Sequence, residues 1–87
     1  MEVIELNPQT IRFTHDSIFH IFKNGVRLSD TISDLENNLI KVEDFPMIRV
    51  VLHKGCYWSL DNRRLYVFKV SCTVLLLCSN INTENWN

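Results

Sequence analysis

The run Ser59-Leu60-Asp61-Asn62-Arg63-Arg64-Leu65 sets an acid, an amide and two guanidinium groups side by side, where an aromatic, β-rich stretch gives way to an apolar one. Asp is a preferred helix N-cap, because its carboxylate accepts from backbone N–H groups that a helix start leaves unpaired. Asp61 is therefore expected to cap a helix over about residues 61–69. Arginines in the first turn oppose the helix dipole, which favours negative charge there. Arg63 and Arg64 thus call for an acidic partner within the chain or an anion from outside it. The planar, five-donor guanidinium suits phosphate. One candidate chemistry is the binding of a phosphate-bearing ligand through Asn62, Arg63 and Arg64. The competing reading is an internal ion network with Asp61 or Asp16.

A second polar knot, Thr14-His15-Asp16-Ser17, offers His15 as a general base and Asp16 as its orienting carboxylate. Helix capping by Thr14 and Asp16, with His15 in solvent, is the favoured alternative, since adjacent residues form no catalytic dyad without another segment. Electrostatics ties the two knots together. Arg64 shares a helix face with Leu65 and Phe68, and a partly buried guanidinium without a partner costs several kcal/mol. Asp16 is the expected partner of Arg64, and at least one of Arg63 and Arg64 is expected within hydrogen-bonding reach of Thr14–Ser17. Arg63, about 100° round the helix, is then left for solvent or phosphate. Tyr57 and Trp58 alternate across a strand, so one points away from the core. That ring can stack on a base, or cover a small core or a dimer interface. Three His and three Cys show no metal-ligand spacing, so no metal is assigned. No cofactor is required, and a nucleotide is the one candidate.

The composition narrows the class. The 87 residues suit one small domain, with nine basic residues against ten acidic and a formal charge of −1. A dedicated nucleic-acid binder working by bulk charge would be basic, so nucleic acid as a partner rests on a local patch. An odd number of cysteines without a secretion signal favours reduced thiols and an intracellular, cytoplasmic or nuclear setting. The longest apolar run, Val74 to Cys78, is far short of the ~20 residues of a membrane span, so no membrane is expected. Residues 1–79 are expected to form the domain and 80–87 a polar tail, with Trp86 available to dock back.

The elements that position these residues follow from periodicity. Val3–Leu6 and Thr10–Phe13 read as short strands broken by Asn7-Pro8. Ile18, Ile21 and Phe22 make a helical stripe over about 16–23, closed by Asn24-Gly25. Leu28, Ile32, Leu35 and Leu39 follow a helical period, with a helix expected over about 30–37. Met47–His53 is apolar on both parities, as in a strand buried on both faces. Lys54-Gly55 turns it into a second arm over 56–60. After the Asp61 helix, Cys72–Cys78 reads as a last buried strand near the Ile48 strand. In one strand Cys72 and Cys78 would lie roughly 20 Å apart, too far for a disulfide. The whole is an α+β domain with a mixed sheet, a β-hairpin and about three short helices.

This order resembles the N-terminal domain of ParB and its sulfiredoxin-like relatives. Leu28–Leu35, Phe45–Val50 and Tyr57–Leu65 are similar to that family's helix, following strand, and second arm running into a Gly-Glu-Arg-Arg box. The pattern can be laid over Val3 to Cys78. The resemblance implies that the box sits at a helix N-terminus and holds nucleotide phosphate, with Arg63 and Arg64 matching its paired arginines. Asp61 and Asn62 stand in place of its Gly and Glu, and the Cys-His-Arg signature of sulfiredoxins is absent. The segments Ile11–Ile18 and Leu60–Leu65 are also similar to stretches of toxin-like C-terminal modules. Three functions stay open: a binding domain for a nucleotide or nucleic acid; a nuclease or phosphotransfer enzyme on the same scaffold; and a non-catalytic module with a protein partner or a second copy of the chain.

Overall fold

The computed structural model describes residues 2–15 and 24–81. The helix expected over 16–23, the residue Asp16 and the docking of Trp86 lie outside the described residues. Within them the chain forms β1 (Glu2–Leu6), β2 (Ile11–Phe13), α1 (Leu28–Glu36), β3 (Ile48–His53), β4 (Cys56–Ser59), α2 (Asn62–Val70) and β5 (Leu76–Ile81), with short 3-10 turns at Pro8–Thr10 and Val42–Asp44. The five strands make one mixed sheet in the order β1-β5-β3-β4-β2. Strand β5 is antiparallel to β1 and parallel to β3, and β3 and β4 are the expected hairpin. Edge strand β2 lies parallel to β4, with Ile11 opposite Tyr57 and Phe13 opposite Ser59. The fold is α+β, as expected.

Side chains alternate across a sheet, and one face of this one packs against α2. Leu65 and Phe68 of α2 meet Ile11, Ile48, Val50, Leu76 and Cys78 in a single buried cluster. Phe45 closes its rim, edge-on to Phe68 at 5.3 Å between ring centres. Val67, on the far side of α2, packs against Leu28 and Ile32 of α1, so α1 is stacked on α2. This layering fixes α2 along its whole length, and with it the Asp-Asn-Arg-Arg run at its start.

Three expectations are corrected. The last strand begins at Leu76, not Cys72. Helix α2 runs on to Val70 and closes on a turn in which Cys72 takes a left-handed φ of 60°, with its N–H donating to the Lys69 carbonyl and that of Thr73 to the Phe68 carbonyl. Val74 and Leu75 are exposed, and the strand continues to Ile81, beyond residue 79. Cys72 and Cys78 therefore sit in different elements, and the separation argued from a shared strand does not apply; Cys56, Cys72 and Cys78 are all free thiols. Second, α1 ends at Glu36, Asn38 turns left-handed at φ 59°, and Leu39 stands 72 % exposed outside the apolar stripe. Third, the Asp61 side chain does not cap α2.

Candidate functional site

The site is built where β4 hands over to α2. Ser59 ends β4 fully buried, and its hydroxyl accepts from the Asp61 N–H at 2.9 Å. Leu60 extends the hairpin ladder by donating to the Arg49 carbonyl at 2.9 Å. These bonds turn Asp61 toward β3 and away from the helix it precedes. Its Oδ2 accepts from the Arg49 backbone N–H at 2.7 Å and from Arg49 Nε at 3.1 Å, while Oδ1 accepts from the other arm of that guanidinium at 2.9 Å. Arg64 adds an ion pair to Oδ1 at 3.1 Å. Arg64 also donates to the Pro46 carbonyl at 2.8 Å, pinning the connector that leads into β3.

Burial pushes the Asp61 carboxyl up, but the Arg49 hydrogen bonds and the charges of Arg64 and Arg49 outweigh it and hold the group below the usual carboxylate value. The same contact raises Arg49. Asp61 thus stays ionised and committed to β3. Two guanidinium groups, on Arg49 and Arg64, meet on the Asp61 carboxylate at this end of α2. Arg63 is half-buried in the first turn.

The two polar knots do meet, through Asn62. The Thr14 N–H donates to Asn62 Oδ1 at 3.2 Å, and Asn62 Nδ2 donates to Thr14 Oγ1 at 2.9 Å. Thr14 Oγ1 donates in turn to the Ser59 carbonyl at 2.8 Å. Thr14 therefore acts as a fastener between β2 and the α2 start.

Tyr57 packs against the core, and Trp58 points to the opposite face of the sheet, opposite Val51 and Arg12 in register. Trp58 Nε1 donates to the His53 carbonyl at 3.1 Å, and the Arg12 guanidinium lies 5.6 Å from its ring centre. Beyond β2 an open groove of about 520 Å³ is lined by Gln9, Ile11, Arg12, Phe13, His15, Trp58 and Lys69. Lys69 Nζ stands 5.2 Å over the Phe13 ring, and burial lowers its pKa. Among the described residues no group of His, Cys, Asp and Glu side chains could hold a metal ion.

Arg49, Ser59, Arg12 and Lys69 are the participants that sequence reasoning missed. Arg49 alone carried a signal, as the only Lys, Arg, Asp or Glu in the apolar run Met47–His53; that strand is not buried on both faces as its apolar run suggested, since Arg49, Leu52 and His53 are exposed.

A mixed five-stranded sheet backed by a helix that starts directly after the hairpin is a sulfiredoxin-like fold. The crystal structure of sulfiredoxin from Arabidopsis thaliana is similar to this chain, with a TM-score of 0.59 over 97 % of this chain and 91 % of that one, at 14 % sequence identity. At that identity the likeness speaks for the fold. No protein-family model and no curated protein sequence matches the chain.

Proposed function

We propose that this chain is a small binding domain that holds a phosphate-bearing ligand, a nucleotide or nucleic acid, at the start of α2. The observation that carries the reading is the capture of the Asp61 carboxylate by Arg49. A carboxylate capping α2 would compete with phosphate for the first-turn N–H groups, and Arg49 draws that competitor aside. A helix start favours an anion through its dipole and its outward N–H groups. Arg63 and Arg64 add two cations in the same turn, at the positions where the ParB resemblance implies a phosphate contact. Arg64 is held in place by Asp61 and the Pro46 carbonyl. Asn62 is fixed by Thr14 and orients the entry to the helix.

A second reading, a purely structural network, is favoured by one observation: Asp61 joins Arg49 of β3 and Arg64 of α2 in a single node. The two readings separate by thermal shift. A ligand that binds only the folded state raises Tm with its concentration. Under the binding reading, nucleoside triphosphates or pyrophosphate raise the Tm of the wild type and not of Arg63→Ala. Under the structural reading neither protein responds.

A further inference from the structure

The groove along the outer edge of β2 is not used by the site at the α2 start, and its chemistry is specific. Two cations, Arg12 and Lys69, converge on it, and among the described residues neither has a carboxylate partner. Each stands over an aromatic ring instead, Arg12 over Trp58 and Lys69 over Phe13. Among the described residues, then, the groove carries two cations that face aromatic rings and no carboxylate. A cationic groove interleaved with aromatic and guanidinium planes matches a polymer that alternates phosphates with flat rings.

The groove is also placed in line with the α2 start. His15, at one end, follows Thr14, which is bonded to Asn62, the first residue of α2. Gln9, at the other end, donates through Nε2 to the Lys69 carbonyl in the last turn of α2 at 2.9 Å. The groove, lined by Phe13 and Lys69 on the α2 side of the sheet and by Arg12 and Trp58 on the other, therefore follows the β2 edge, which runs beside α2 from its first turn to its last, about 13 Å for nine residues. That is room for more than one nucleotide.

We infer that the ligand is a single-stranded nucleic acid, with one phosphate at the α2 start and the neighbouring nucleotides lying along the β2-edge groove against Arg12, Trp58 and Lys69. This rests on the reading of the α2 start given above. The backbone meets Arg12 and Lys69, and a base stacks on the Arg12–Trp58 pair.

The test is fluorescence anisotropy with labelled oligouridylate, alongside competition by UMP, inorganic phosphate and polyglutamate. Oligouridylate is expected to bind more tightly than UMP or phosphate. Arg12→Gln and Lys69→Gln should each weaken it by about tenfold and lower the slope of log affinity against log salt by about 0.7. Neither should alter competition by UMP at the α2 start, which Arg63→Ala abolishes. If Arg63→Ala abolishes binding while Arg12→Gln and Lys69→Gln match the wild type, this inference falls and the proposed function stands. Oligouridylate binding no tighter than UMP, or polyglutamate competing equally well, also overturns it. If no probe binds, both readings fall. Urea midpoints are measured in parallel; should Lys69→Gln shift its midpoint, the exposed Arg12→Gln decides alone.

Discussion

Asp61 and Arg49 are joined by three hydrogen bonds, at 2.7, 2.9 and 3.1 Å, one from the backbone and two from the guanidinium. The backbone bond makes this more than a surface ion pair, because it satisfies a β3 N–H beside the strand's buried residues. The Asp61 side chain is 10 % exposed and the Arg49 side chain 56 %, so the acid is the costlier partner to lose. Asp61→Asn is expected to destabilise the fold by about 2 kcal/mol, in the range for hydrogen bonds to charged groups. Arg49→Met should cost about 1 kcal/mol or less, since solvent screens its exposed side. Urea denaturation measures both; an Arg49 variant costing more than the Asp61 variant would contradict this ranking.

The same carboxylate sets an acid limb. Its pKa is lower in the folded chain than the ordinary 3.8, so the unfolded state takes up the proton first as pH falls. The stability it contributes is full above the unfolded value and is lost as pH drops through the folded one. Asp61→Asn should therefore flatten the stability profile below about pH 4. An unchanged acid limb in urea titrations would show that Asp61 is not the group responsible.

Thr14 and Asn62 exchange two hydrogen bonds on an exposed surface. Thr14→Val and Asn62→Ala are each expected to cost about 1 kcal/mol. A double-mutant cycle should return a coupling of about 0.5 kcal/mol or more. Additive losses would mean that the knots are fastened elsewhere.

The cysteines should react in order of exposure. Cys72 is exposed, Cys56 half-buried and Cys78 buried, with burial pushing the Cys78 thiol up to about 11. Alkylation of the native monomer, mapped by peptide mass, is expected to mark Cys72 first and Cys78 only on unfolding. At alkaline pH the unfolded chain loses the Cys78 proton before the folded one, so stability falls as pH rises from about 9 to about 11. Cys78→Ala should remove that component, and rapid labelling of native Cys78 would contradict its place in the core.

The fold was largely legible, because hydrophobic period and turn chemistry are local. The Ile48 strand, the Lys54-Gly55 hairpin and the two described helices all followed from spacing, to within about two residues at each end. The last strand slipped because Thr73-Val74-Leu75 reads as strand by composition. What decides its exposure is the closing turn of α2 at Cys72, a tertiary outcome. At the site, the meeting of Thr14 with the α2 start was legible in kind, since two polar knots between apolar elements need each other. The bonding partner there is Asn62. Of the arginine partners, Asp61 was legible as one of two candidate acids for Arg64; the preferred acid, Asp16, lies outside the described residues, and Arg49 was not foreseen. Asp61 looks like a cap from its neighbours alone, and its capture by Arg49 depends on the β3–β4 register, which no local pattern encodes. The bond from Arg64 to the Pro46 carbonyl likewise rests on tertiary placement.

The most direct test of phosphate binding at the α2 start is amide chemical-shift mapping of the wild type during titration with pyrophosphate and then a nucleoside triphosphate. The account predicts saturable shifts centred on the amides of Asn62, Arg63 and Arg64 and absent from Arg63→Ala. Shifts scattered over the surface without saturation, or none at this helix start, would contradict it.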